Sequence, residues 1–481
     1  MTSRFLDKLK SIGHTCLDIL FQPAGMSPLI WVEAIFLVGL FAGGILHWGI
    51  FLNWFNNRFD FQDWHNQVGP YLEFLSKALK SGQFPMIAQS PYMIPGQYLA
   101  RQNRPFSPQI LLLYFLNPAT YVLVNVWIFY SIGFVGLLLI RRRYHLSLVS
   151  FLALFLLFNL NGHILAHFAV GHFEWVGYFL LPFYVLLVMK MLEGEQTGWK
   201  WLFSMALLML ALTLQGTAHF FIYCMTFLLL IGLFQPRYFL PVIKAIVLSG
   251  LLSMVRILPP AIQYGAGTGL QDLGGFVSIF QLLQSFILPG GDWEKEYFVG
   301  VIGFAFLLYF GVIRNWTQSR KDRPLYLPML VMTFFSIGSI FLPLFNSGIP
   351  FMDSQRAPTR FLILPLVFLI ILACIQFQHF LNEWGQKDFE KKMAVLFGGG
   401  LMAYDLVYHS RVWSLQHYGP NRVTDIIKMN ISNIPDPRYV ATLILGFACT
   451  LVTLAVLIWG MVRERQKNSL NIPGPGREEN A

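Results

Sequence analysis

Apolar runs long enough to cross a hydrocarbon core recur from Ile30 to Val462 with only short polar breaks between them. Roughly 20 helical residues span such a core, and an open chain can satisfy its backbone in lipid only by forming helices. Of the 481 residues, 56% are hydrophobic and only 12% are charged, too few charges to cover a water-exposed surface. No polar stretch is long enough to hold a separate globular core. The chain therefore reads as one all-α polytopic membrane domain over residues 28–462.

The expected spans are 30–52, 119–140, 146–160, 173–192, 200–214, 218–234, 241–258, 298–314, 325–345, 361–381, 393–410 and 439–462, about twelve in all. An N-terminus in the cytoplasm leaves the Arg141, Arg142 and Arg143 triplet, Arg320, Lys321, Arg323, Lys391, Lys392, Arg463 and Arg465 there too, as the positive-inside rule requires. The stretch 106–116 is apolar but too short to cross, so it reads as a re-entrant or interfacial segment. The larger loops, 53–105, 259–297, 346–360 and 411–438, then lie outside the cytoplasm, and any chemistry belongs to them.

Residues 1–27 carry Arg4, Lys8 and Lys10 among apolar residues at helical spacing and lack a signal peptide's compact core, which suggests a helix lying on the cytoplasmic leaflet. Residues 463–481 read as a disordered cytoplasmic tail. Cys16, Cys224, Cys374 and Cys449 form no CxxC pair, so neither a disulfide framework nor a zinc site is suggested. The net charge of +10 matches topology and attraction to anionic headgroups, and no nucleic-acid module accompanies it.

In the first loop, Asp60 and Asp63 precede a helix expected over 64–80, with Tyr71, Leu72, Leu75 and Leu79 on one stripe and Gly82 and Pro85 ending it. An Asp in that place is commonly an N-cap, and it also suits a catalytic carboxylate at the membrane surface. His163 and His167, at i and i+4, fall with His172 and Glu174 in one short outside segment. Three readings stay open for the histidines: a divalent cation site, hydrogen bonds to a substrate or phosphate, and structural roles at the interface. Asp292, Glu294 and Glu296 read first as a solvated loop. Trp413, His417, Tyr418 and Tyr439 offer faces for sugar rings or for an interfacial belt.

Asp63, Gln67, Pro70, Leu79, Gly82 and Pro85, followed by Ser-Pro-Tyr at 90–92, Ser-Pro at 107–108 and Asn-Pro at 117–118, resemble bacterial GT-C glycosyltransferase-like proteins, especially the YfhO-type group. Gly171, His172, Leu181 and Pro182 resemble a later motif of that group, and SQRAPTRFLILPL at 354–366 resembles its Arg-x-Pro-x-Arg stretch. The likeness is fullest up to about residue 200.

The resemblance implies a GT-C-like fold in a bacterial inner membrane. It also implies an inverting transfer of sugar from a polyprenyl-phosphate donor to a cell-envelope glycan, lipid or protein on the outer face. Asp63, with Asp60 as the other choice, would be the general base. Arg356 and Arg360, one helical turn apart, would hold the leaving phosphate, with His163, His167, His172 and Glu174 near the sugar or phosphate. No cofactor beyond a divalent cation is implied. A flippase for lipid-linked saccharides and a non-catalytic scaffold relative are the alternative readings.

Overall fold

The computed structural model describes residues 17–25, 30–56, 59, 61–90, 93–101, 103–195, 197–264, 273–349, 352, 354–384, 389–415, 430–432 and 436–470. Among them seven helices are long and apolar enough to cross a membrane: Ile30–Phe51, Pro118–Arg143, Leu148–Val170, Phe173–Leu192, Trp293–Gln318, Pro358–Glu383 and Pro437–Lys467. An eighth span results if the pair Pro236–Leu252 and Met254–Gln263, bent by 74°, is taken as one. The protein is a multi-pass, all-α membrane protein.

The remaining expected spans take other forms. Segments 200–214 and 218–234 are helices, Trp199–Leu214 and Ala218–Phe234, but shorter than a full crossing. Segment 325–345 divides into Arg323–Phe335 and Gly338–Phe345. The division has a cause: Ile337 opens to extended geometry, Phe276 donates its amide to Ser336 O at 3.0 Å, and Gly338 donates to Phe276 O at 3.1 Å. Segment 393–410 lies in Phe389–Trp413, which carries Asp405 and Arg411 along its length. Most of the expected N-terminal amphipathic helix lies outside the described residues, and the last helix continues past 462 to Leu470.

Pro358–Glu383 is the axis of the bundle, with 94% of its most apolar stretch buried, whereas 28% of Pro437–Lys467 and 22% of Ile30–Phe51 are buried. The two peripheral helices face lipid with the same residue types that the axis uses against protein. Helix ends follow local chemistry. Asn117 caps Pro118–Arg143 by accepting from the Thr120 amide at 2.9 Å, and three arginines fill its last turn, where the helix dipole favours cations.

The loop 53–105 folds onto one end of this bundle. Trp64–Val68 is a π turn leading into the α-helix Gly69–Lys80, which buries Tyr71, Leu72 and Leu75 and stops before Gly82, whose φ is +66°. Strands Ile87–Ser90 and Met93–Gln97 pair antiparallel, and Asn430–Ser432 pairs antiparallel with the first, tying this loop to the 411–438 loop. Pro108–Tyr114, in the short apolar stretch, is a 3-10 helix exposing Leu111 and Tyr114.

Candidate functional site

The site is built where the helix Gly162–Val170 ends. Asn161 starts this helix by accepting from the Ile164 amide at 3.3 Å, and Gly171, at φ +96°, stops it in a left-handed turn. That turn folds the chain back, so His172 returns over the last turn of the helix and its amide donates to His167 O at 3.0 Å. A side chain at 171 is excluded twice, by its backbone angle and by the Trp64 amide nitrogen, which a Cβ would meet at 2.3 Å. The first loop is docked at this point, with the Trp64 indole donating to Phe168 O at 3.1 Å.

This docking delivers Asp63. Its side chain makes no capping bond at the start of the helix that follows, so the N-cap reading does not apply. Instead Asp63 Oδ2 lies 3.3 Å from His172 Nε2, with 31% of the Asp63 side chain exposed and 11% of His172. Gln67 also bonds the carboxylate, and Asn103 in turn donates to Gln67 Oε1 at 2.8 Å. Burial pushes the Asp63 carboxyl up. The hydrogen bond and charge of His172, the Gln67 bond and the charge of Arg360 outweigh it and hold the group below its ordinary 3.8.

Behind Asp63 runs a row of rings. His172 Nδ1 meets His167 Nδ1 at 2.5 Å, and His167 stacks on Trp175 with centroids 3.8 Å apart and planes 6° from parallel. The His163 ring stands edge-on to His167, 4.3 Å away, and stacks on Tyr297 at 4.2 Å. Tyr297 donates its hydroxyl proton to Thr359 O at 2.8 Å. The Asp63 carboxylate accepts from His172 Nε2–H, and the facing Nδ1 atoms of His172 and His167 share one hydrogen bond. The buried His167 Nε2 and His163 Nδ1 are then left without partners.

The expected i, i+4 pair of histidines shares one helix face, and both rings are fully buried behind His172. Among the described residues no group of three His, Cys, Asp or Glu is arranged to hold a metal ion. Glu174, half-buried in the turn after His172, lies within electrostatic reach of His172, Arg360 and Asp63.

The two arginines of the Arg-x-Pro-x-Arg stretch part company. Arg360 is buried, bonds Glu294 through both Nε, at 2.8 Å from Oε2, and Nη2, and lies 5.6 Å over the Trp175 ring. Arg356 is exposed, and its carbonyl accepts from the Gly274 amide at 2.7 Å. The structure therefore corrects the expectation of two free guanidinium groups side by side. It also corrects the solvated-loop reading of 292–296, because Glu294 neutralises Arg360 and Glu296 is buried against His409 Nε2 at 3.0 Å. Asp292 serves the Glu294 amide as a cap.

Trp413 and Tyr439 are buried, donating to His409 Nε2 and accepting from the Leu99 amide respectively, so neither presents a face to a sugar. Asp60, His417 and Tyr418 lie outside the described residues. Sequence reasoning did not find Trp175, Tyr297 or the buried Arg104, whose guanidinium lies 4.6 Å over the Tyr71 ring. Only its place directly before Pro105 marked the last of these. Comparison with protein-family models and with curated proteins gives no match.

Proposed function

We propose that this protein is an inverting membrane glycosyltransferase of GT-C type, taking sugar from a polyprenyl-phosphate donor to a cell-envelope acceptor on the outer face of a bacterial inner membrane. The observation that carries the reading is the Asp63 carboxylate, uncapped, partly open and held by His172 and Gln67 on a loop docked against the bundle.

Asp63 accepts the proton of the acceptor hydroxyl as that oxygen bonds the anomeric carbon. The bond from that carbon to the phosphate oxygen breaks, and its electron pair leaves on the lipid phosphate. A carboxylate kept ionised is a ready base, and His172 orients it and stabilises its charge before the proton arrives. Glu174, within electrostatic reach of Asp63, supplies a hydrogen-bond acceptor for substrate hydroxyls. Base removal typically costs about 10²- to 10⁴-fold in rate. The full chain in proteoliposomes, given a polyprenyl-phosphate sugar and envelope extract, transfers label, and Asp63→Asn loses at least about 100-fold while folding normally. Full activity of that variant removes Asp63 from the mechanism.

One observation favours transport instead: the 74° break between Leu252 and Met254, since discontinuous helices mark many transporters. The break has a local account. Thr450 Oγ1 donates to Leu252 O at 2.9 Å and accepts from the Val255 amide, and Arg256 donates to the carbonyls of Leu99, Arg101 and Arg104. The bend anchors the first loop. Movement of donor across a sealed bilayer without sugar transfer would favour the transport reading.

A further inference from the structure

Three buried arginines stand near the loop end of the bundle, and two are saturated. Arg256 donates to the carbonyls of Leu99, Arg101, Arg104 and Thr213, and Arg360 is neutralised by Glu294. Arg104 differs. It is 6% exposed, its guanidinium rests on the Tyr71 ring, and its Nη1 is buried without a hydrogen-bond partner, as is the Tyr71 hydroxyl. A guanidinium taken out of water is stable only with acceptors for its donors, and an aromatic face supplies none. Arg104 Nη1 and the Tyr71 hydroxyl, buried donors on two stacked side chains, are each left in want of an acceptor such as an anion's oxygen.

Close by runs an apolar groove of about 720 Å³, walled by Leu75, Leu79, Phe106, Leu214, Phe447 and Leu451; Arg104 and Tyr71 lie behind this wall and are not part of its lining. Leu75 follows Tyr71 by one helical turn, and Phe106, two residues after Arg104, donates its amide to Leu214 O at 2.7 Å. The groove wall and the cation are therefore parts of one local structure. On the other side, the Glu174 carboxylate is near enough to act on both Tyr71 and Arg104, and Glu174 in turn is within reach of Asp63.

We propose that Arg104 and Tyr71 bind the phosphate of a single-chain phosphate lipid whose apolar chain lies in this groove. This deepens the transferase reading and rests on it for the identity of the lipid as the sugar carrier. It moves the phosphate anchor from the Arg356 and Arg360 pair to a residue of the first loop. The volume suits one ligand of modest size, since pockets of roughly 300–1,000 Å³ hold such molecules, and a two-tailed phospholipid fits the geometry less well.

The test is direct binding to the purified full-length chain in detergent, by native mass spectrometry and by titration, with four probes: a polyprenyl monophosphate, the matching polyprenol, inorganic phosphate and phosphatidylglycerol. The polyprenyl monophosphate binds at least about tenfold more tightly than the other three, as expected for charge-assisted bonds added to apolar contact. Arg104→Gln brings it down to the level of the polyprenol, and Arg104→Lys, which keeps the charge but loses the planar fork and its stacking on Tyr71, binds between that level and the parent's. Leu79→Trp, at a partly exposed groove position, weakens the polyprenyl monophosphate and the polyprenol alike, which keeps the test open if Arg104→Gln fails to fold.

Unchanged binding in a folded Arg104→Gln protein, or in Leu79→Trp, overturns the proposal. So does equal binding of polyprenol, of inorganic phosphate or of phosphatidylglycerol. The measurement needs no turnover: the expected binding pattern in a protein that transfers no sugar would leave this lipid site standing and end the transferase reading.

Discussion

Two acid–base pairs share one wall of the loop end, and they are made differently. Glu294 grips Arg360 with two bonds, and the side chains are 24% and 11% exposed. Asp63 meets His172 through one 3.3 Å contact and keeps 31% of its side chain exposed. The first pair uses up the charges it brings into the protein. The second leaves carboxylate lone pairs free for an incoming hydroxyl. On the proposed transferase reading, full pairing marks a structural member of the site, and incomplete pairing marks the member that would react.

That contrast can be broken by substitution. The largest effect expected is the loss of at least about 100-fold in transfer for Asp63→Asn, with thermal stability unchanged within about 0.5 kcal/mol because an open carboxylate holds little together. Glu294→Gln should do the reverse: it strands a buried guanidinium, so stability falls by about 3–5 kcal/mol in a denaturation series. A Glu294→Gln protein as stable as the parent would erase the distinction between the pairs.

Next comes Gly171→Ala, which forces a left-handed residue to carry a Cβ against the Trp64 amide. It should cost about 1–3 kcal/mol and lower transfer, because the turn that aims His172 at Asp63 is displaced. Equal activity with equal stability would show that this docking does not position the pair. The smallest effect belongs to Arg356→Ala. An exposed side chain outside the wall should change stability by no more than about 0.5 kcal/mol, and donor affinity in a binding titration by no more than about twofold.

Much of this site was legible in the sequence, because its recognisable pieces are local. Asp63 just ahead of a helix, and His167, His172 and Glu174 within one short segment, were found from composition and spacing. What those residues touch was not legible. Arg360 reads as a free cation until Glu294, sixty-six positions away, is packed against it. The spacing of His163 and His167 leaves a cation site, substrate contacts and structural roles equally legible; only the tertiary structure shows Tyr297 and Trp175 stacked on their faces. Arg104 carries no motif; its importance comes from burial without a partner, which is a property of the tertiary structure alone.

The membrane character was legible for the same reason, since hydropathy is local and the helices lie where apolar runs predicted them. The break at Ile337 was not, because it depends on Phe276 reaching the freed backbone from a distant loop. Apolar composition reports that a segment belongs in lipid or in a core. It does not report whether the helix runs through unbroken.

The central claim is that His172 sets the state of Asp63, and the acid limb of the pH–rate profile tests it. The folded Asp63 titrates below its ordinary 3.8, so its ionised form, and the stability drawn from the contact, are fully present above that value and are lost as pH falls through the lower folded value. For kcat/KM the parent protein should show no acid limb from Asp63 above about pH 4. His172→Gln removes the imidazole charge and its bond, so the limb moves to higher pH and the stability drawn from that contact is lost at neutral pH. Superimposable profiles for the two proteins would contradict the account.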